Sequence, residues 1–170
     1  MALPHLDELY RSTRRMVGDR SSAEDIVQET YLRAWRSFGR FQKGSNCRAW
    51  LFKILVNCTK DYWKKSSAEP VADDSDRILD EQVARRPIPR GITDPEMIEA
   101  LKGVPPILRE VIVLADVEEF TYREIAEMVD VPIGTVMSRL SRGRARLRHL
   151  LSEPAAVKKR AAAGEGKRGA

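Results

Sequence analysis

Two cysteines and two histidines are all that 170 residues offer for thiol or imidazole chemistry. Cys47 and Cys58 stand eleven positions apart, with no CxxC and no neighbouring paired histidine, a spacing unlike that of a metal site. They read as two buried thiols in a reducing compartment. His5 and His149 are too scattered for a triad or a metal centre, and neither GxxxxGK[ST] nor GxSxG occurs. These absences argue against an enzyme and against a resident metal or cofactor. Long apolar runs are missing too. The longest, residues 111–115, is far too short to cross a bilayer, so no membrane insertion is expected. The opening MALPHLDELYRSTRR holds no uninterrupted apolar stretch of the signal-peptide kind, which points to the cytoplasm. Aromatic residues make up only 6% of the chain, and nearly all of them fall before residue 66. No period-two alternation bounded by hairpin turns is visible, which excludes a sheet-based fold.

What remains is apolar enough to fold, at 42%, and heavily charged, at 32%, with a formal net charge of +5. That balance favours an anionic partner such as nucleic acid. Apolar residues at helical spacing fall into two blocks, 1–65 and 95–152, separated by a different composition. Residues 66–94 are rich in Asp, Glu, Pro and Ser, with Asp73, Asp74, Asp76, Asp80 and Glu81 offset by few cations before Arg85. Such a segment cannot bury a core and reads as a flexible acidic linker that DNA would repel. Residues 153–170 read as a basic, disordered tail. The expected fold class is therefore all-α: two small helical domains joined by a flexible linker. Helix starts are signalled by two capping-box patterns, Ser21-x-x-Glu24 and Thr121-x-x-Glu124, and by Asp94 as an N-cap before Pro95.

The segment TYREIAEMVDVPIGTVMSRLSRGRARLRHLL carries five arginines in its second half and no acid there. Pro132 and Gly134 divide it into helix, short turn and helix. At about 100° per residue, Val136, Leu140, Gly143 and Leu147 fall on one core-facing stripe of residues 133–151. Ser138, Ser141, Arg142 and Ala145 lie opposite, with Arg139 and Arg146 on one shoulder and Arg144 and Arg148 on the other. Small polar residues flanked by arginines suit a helix that enters the major groove, its centre on base edges and its shoulders on phosphates. The competing reading is a solvated basic helix or one that meets an acidic protein. The candidate DNA contacts of this helix are Thr135, Ser138, Arg139, Ser141, Arg142 and Arg146.

The stretch LKGVPPILREVIVLADVEEFTYREIAEMVDVPIGTVMSRLSRGRARLRHLL resembles region 4 of bacterial sigma factors of the extracytoplasmic-function (ECF) group within the sigma-70 family. Val104-Pro105, Arg109-Glu110-Val111, Tyr122 with Glu124-Ile125-Ala126, and the strings PIGTV and SRL carry the likeness. AEDIVQETYLRAW and FGRFQKGSNCRAWLFKILVNCTKDYWKK are similar to region 2 of the same group. The resemblance implies that block 1–65 reads and opens the −10 promoter element and block 95–152 reads the −35 element through a helix-turn-helix. Both blocks are then expected to grip core RNA polymerase, through its β′ and β subunits, while the linker threads basic channels of the enzyme. A second reading is an autonomous helix-turn-helix regulator without polymerase affinity; a chain of that kind would not need block 1–65. The strings FQKGSN and ADVEEFTYREIAEMVDVPIGTVMSRL most resemble the oxidative-stress branch, whose members are held by zinc-containing anti-sigma factors. Met137 departs from the family, where many members carry a basic residue.

The residues of block one agree. In segment 47–64, Trp50, Leu51, Ile54, Leu55, Cys58 and Tyr62 form a core-facing surface. Lys53, Asn57, Lys60 and Lys64 form a polar stripe beside Phe52, Val56 and Trp63. Cations next to exposed aromatics would suit a partly melted duplex, the alternative being that Phe52 and Trp63 are core. The loop before it supplies Phe41, Gly44, Ser45 and Asn46, whose amides and carboxamide can be presented to a base edge. The resemblance implies that it captures a flipped −10 base; the alternative is that Ser45 or Asn46 is an N-cap, and one residue can serve as both. In segment 23–39, Ile26, Thr30, Ala34 and Phe38 face inward. Leu32 projects outward within a rim of Asp25, Gln28, Glu29 and Arg36, with Trp35 at the margin, the anatomy of a protein interface. The resemblance assigns that face to a coiled coil of β′.

Overall fold

The computed structural model describes residues 3–42, 44–66 and 91–152. The linker's interior and the tail, about which the sequence reading made claims, lie outside the described residues, as does Lys43 of the 41–46 loop. Seven α-helices make up the described chain: α1 Leu6–Val17, α2 Arg20–Ser37, α3 Cys47–Lys65, α4 Asp94–Lys102, α5 Pro106–Ile112, α6 Tyr122–Val129 and α7 Ile133–Ser152. A π-helical turn, Val113–Val117, extends α5. No strand occurs among the described residues.

Asp7 and Glu8 complement the positive end of the α1 dipole, and Gly18 closes that helix in the left-handed region at φ 77°, returning its N–H to the Arg14 carbonyl. The α2 cap is Asp19, whose carboxylate accepts the Ser22 N–H at 2.7 Å, so the helix starts before the expected Ser21 box. Glu24 is instead paired with Arg20. The cap of α4 likewise falls one residue early. Thr93 donates both its N–H and its hydroxyl to Glu96, and Asp94-Pro95 occupy the first turn. Thr121 and Glu124 do form the expected box at α6.

In the first block, α1, α2 and α3 pack Leu9, Met16, Ile26, Val27, Leu51 and Leu55 together. In the second, α4 to α7 bury Leu101, Leu108, Ile125, Val136, Leu140 and Leu147. There α7 presses close to α5 at Gly143: a Cβ placed on it would stand 2.8 Å from the Ile112 side chain and 3.3 Å from Leu108 Cβ.

The two helical blocks pack against each other. Helix α3 packs on α6, and α1 packs on α4 and the π turn, so one apolar cluster runs through both. Phe52, Val56 and Trp63, which the helical projection had left beside the polar stripe, are buried. A three-helix block presents apolar side chains on more than one face of α3, and the second face is covered by the other block. Phe52 meets Phe120 edge-on, with ring centroids 5.0 Å apart.

Candidate nucleic-acid and polymerase interfaces

The turn of the helix-turn-helix is made by Asp130, Val131 and Pro132. Asp130 adopts the left-handed conformation at φ 57°, tolerable for a residue with a short polar side chain, and returns its N–H to the Ala126 carbonyl. Gly134, which the sequence reading credited with part of the break, lies inside α7. The leading end of α7 shows Ile133, Gly134, Met137, Ser138 and Ser141 to solvent, with Thr135, Arg139 and Arg142 half-buried and Arg146 exposed. Ser138 donates its hydroxyl to the Thr135 carbonyl at 3.0 Å, and Arg146 reaches the Gly103 carbonyl at 3.3 Å. The outer face is narrower than projected. Ala145 is buried, and so is Arg148. Arg144 folds back onto Asp116 through a two-bond ion pair, 2.9 Å from its Nε. That shoulder of arginines is thus drawn onto the protein, because the π turn brings Asp116 beneath it.

In the first block the loop ahead of α3 is a tight turn. Ser45 donates its hydroxyl to the Gln42 carbonyl at 2.8 Å, Gly44 holds φ 97°, and Asn46 caps α3 by accepting the Ala49 N–H at 3.1 Å. Asn46 is therefore a cap, and the residue stays exposed on the loop. Phe41 lies between Phe38 and Trp50, 6.1 and 4.8 Å away. Phe38 was expected inside; α2 ends at Ser37 and tightens into a 3-10 turn, Phe38–Arg40, which swings the ring outward.

Along the polar stripe of α3, Lys53, Asn57 and Lys64 are exposed, whereas Lys60 donates to the Val129 carbonyl at the end of α6, 2.7 Å away. Lys60 and Lys64 share a cavity of about 240 Å³ with Trp63, Ile107, Val129, Val131, Arg139 and Glu110. Glu110 is fully buried there, one carboxylate oxygen lacks a hydrogen-bond partner, and burial raises its pKa to about 7 against the pull of Lys60 and Arg139.

On α2, Asp25, Gln28, Leu32 and Arg36 are exposed, and Glu29 is half-buried where Arg33 holds it at 2.7 Å. Leu32 is 51% exposed, and Trp35, one turn on, is 82% exposed. Trp35 makes the patch larger than a lone leucine.

The sequence reading missed the residues that join the blocks. Arg48 bonds Glu8 and donates to the Glu118 carboxylate and carbonyl at 2.8 and 2.9 Å, its guanidinium lying 4.1 Å over the Phe120 ring. Ser12 donates to the same Glu118 carboxylate. Burial raises the pKa of Glu118, and although burial also pushes Glu8 up, hydrogen bonds from Arg48 and His5 hold it below its ordinary value. Arg109 reaches across to the Met16 carbonyl at 2.6 Å and also donates to the Val104 and Lys102 carbonyls. Burial lowers its pKa to about 10, leaving it charged at neutral pH. Arg109-Glu110 inside the apolar run from Leu108 to Leu114 was the available signal, since charges in such a run need buried partners.

Among the described residues, no helix is long and apolar enough to cross a membrane. Cys58 is buried, which raises its thiol pKa, while Cys47 is only half-buried.

The helices and their faces define an all-helical protein with a helix-turn-helix in its second block and an exposed apolar patch on α2 in its first. The family model for sigma-70 region 2 matches residues 1–69, and that for sigma-70 region 4 matches residues 95–147. The chain is 31% identical over 131 residues to the ECF RNA polymerase sigma-E factor of Escherichia coli K12, covering 71% of this chain and 69% of that one. It is 34% identical over 157 residues to the ECF sigma factor SigE of Mycolicibacterium smegmatis, covering 88% of this chain but only 59% of that relative's length. Among solved structures, the sigma factor RpoE of Bartonella quintana, in complex with the anti-sigma factor NepR, matches with a TM-score of 0.69 and 35% identity over 89% of this chain and 94% of that one. CnrH in complex with the cytosolic domain of CnrY shares the fold, with a TM-score of 0.64 at 23% identity over 90% of this chain and 86% of that one. This chain belongs to the ECF sigma factors of the sigma-70 family, a family of transcription initiation factors rather than enzymes.

Proposed function

We propose that this protein binds core RNA polymerase in the cytoplasm and directs it to promoters under the control of an anti-sigma factor. The observation that carries the reading is the pairing, in one chain, of an exposed Leu32–Trp35 patch with a helix-turn-helix whose leading face is open. An autonomous regulator would need only the second.

In this reading Asp25, Gln28, Leu32, Trp35 and Arg36 dock on β′, with Glu29 and Arg33 bracing the helix from behind. Thr135, Ser138, Ser141 and Arg142 face −35 bases, and Arg139 and Arg146 neutralise phosphates. Loop 41–46 with Lys53, Asn57, Lys60 and Lys64 serves the −10 element, with the Phe38–Phe41–Trp50 cluster as a platform for an unstacked base. The acidic linker follows the basic channels of the enzyme, and the anti-sigma partner is of the zinc-containing kind that the oxidative-stress branch uses.

The contact between the blocks adds a condition. Lys60 is tied to the Val129 carbonyl and Trp63 is covered, so the −10 stripe is complete only after the blocks part. Polymerase, by holding each block at its own site, supplies the separation. The test is run-off transcription with core polymerase on a randomised promoter library. The expected result is one enriched −35/−10 pair; no initiation above core polymerase alone would refute the function.

A further inference from the structure

The outward face of α7 differs from one side to the other. Along one stripe of the helix, at spacings of four, seven and four residues, stand Ile133, Met137, Arg144 and Arg148. The two arginines of that stripe turn onto the protein, Arg144 by its pair with Asp116 and Arg148 by burial. What the stripe offers to a ligand is its leading end: Ile133, 49% exposed, and Met137, 53% exposed, one turn apart. Across the helix the side facing Arg142 stays polar, with Ser138 and Ser141 between.

Thr135 and Arg139 lie on the opposite side of these first two turns, so hydrogen-bond donors are scarce on the side that Ile133 and Met137 occupy. The Ser138 hydroxyl already donates to the Thr135 carbonyl, and Gly134, Ile133 and Met137 have no polar side-chain group to give. The leading end of a recognition helix is the part that lies deepest against base edges. In the major groove only thymine shows an apolar group, its C5 methyl, and apolar side chains are what recognise it. Methionine is unbranched and polarisable, so it can follow a methyl group without a fixed rotamer.

We propose that Ile133 and Met137 form an apolar reader of thymine methyl groups in the −35 element and set specificity there in place of a cation. The inference rests on the −35 role assigned above. It predicts that the element contains thymine at one or two positions opposite the first two turns of α7, offset from the position read by Arg142. Each methyl buried against Met137 or Ile133 contributes about a three- to fivefold preference for thymine.

Deoxyuridine, which pairs as thymine but lacks the methyl group, isolates this contact. Holoenzyme is formed from the full chain and core polymerase, and each thymine of the selected −35 element is replaced in turn. Binding should weaken about three- to fivefold at one or two positions. Met137→Ala should weaken binding to the thymine promoter and lose the difference between thymine and deoxyuridine at a −35 position, whereas Met137→Leu should restore it. Replacement at −10 thymines should respond identically in wild type and Met137→Ala. If the selected element lacks thymine opposite these turns, or if deoxyuridine binds as well as thymine throughout, the methyl reader is overturned while the sigma assignment stands. Absence of any promoter selectivity would overturn both.

Discussion

Helices α3 and α7 each carry cations suited to nucleic acid, yet they meet opposite surroundings. Helix α7 turns Ile133, Met137, Ser138 and Ser141 to solvent while its other side packs on α5 and α6. Helix α3 is enclosed on two sides: Leu51 and Leu55 face its own block, and Phe52, Val56 and Trp63 are buried as well, with Phe52 on Phe120 of the second block and Trp63 in the interblock cavity. The outer face of α7 is open, whereas that of α3 is partly occupied by the rest of the chain. Under the proposed function, the helix-turn-helix would also cover the α3 surface assigned to melting, so promoter opening would require the blocks to separate.

The largest effect should come from the α2 patch proposed to dock on polymerase. Leu32→Asp places a charge in the centre of the α2 patch and should abolish core binding and transcription. Circular dichroism and the weak DNA affinity of the free chain should stay as they are. Loss of the dichroism and the DNA affinity as well would mean that Leu32 supports folding rather than docking.

Next in size is the joint between the blocks. Phe120→Ala removes the ring that meets both Phe52 and Arg48 and should cost about 3 kcal/mol of stability. Arg48→Ala should cost about 1–3 kcal/mol, because Glu8 and Glu118 lose the cation between them at a partly exposed site. Urea unfolding followed separately by tryptophan fluorescence, which reports the first block because Trp35, Trp50 and Trp63 all lie there, and by far-ultraviolet dichroism of both blocks measures both. In the wild type the two probes should coincide; in the variants they should separate if the blocks begin to unfold independently.

Glu110 sharpens the comparison through pH. Its carboxyl keeps a proton in the folded chain up to about pH 7, whereas in the unfolded chain it releases the proton near 4.5. The folded state therefore binds more protons in that window, and stability from this group is full below about pH 4.5 and falls as pH rises through 7. The loss approaches about 3 kcal/mol, and Glu110→Gln should flatten it. A wild-type stability unchanged from pH 5 to pH 8 relative to Glu110→Gln would contradict the buried neutral acid.

The smallest effects concern readout on the assembled helix. Arg142→Ala should cost about 1–3 kcal/mol and relax preference at one or two −35 positions, as expected for loss of a bidentate contact to guanine. Arg146→Ala should weaken every sequence alike and reduce the salt dependence of binding by about one unit of slope. Selection from a randomised −35 library at two salt concentrations distinguishes them.

Helical periodicity and cap signals located α2, α3, α4, α6 and α7, because capping residues and apolar spacing are local properties of the chain, whereas α1 and α5 were not singled out. The Thr121–Glu124 box and the stripe Val136, Leu140, Gly143 and Leu147 were legible for that reason. Asp19 and Thr93 displaced the expected caps by one or two residues, since any short polar side chain with the right backbone angle can take that role. The outer face of α7 was legible in outline, but the loss of Arg144 to Asp116 was not, because that pair spans 28 positions and depends on the π turn. For the same reason the burial of Phe52 and Trp63 could not be separated from exposure on an outer face. A projection of one helix shows which residues share a side; it does not show how many neighbours the helix has. The joint formed by Arg48, Glu118 and Arg109 joins residues 70 and 93 positions apart.

The most direct test compares promoter binding by the free chain and by holoenzyme on the same duplex, with permanganate reactivity reporting opening at the −10 element. The free chain, with Lys60 tied and Trp63 covered, should bind weakly, with little sequence preference and no reactive thymines. Holoenzyme should bind selectively and expose −10 thymines to permanganate. Tight, sequence-specific binding by the free chain, with no gain on adding core polymerase, would contradict the account and favour an autonomous regulator.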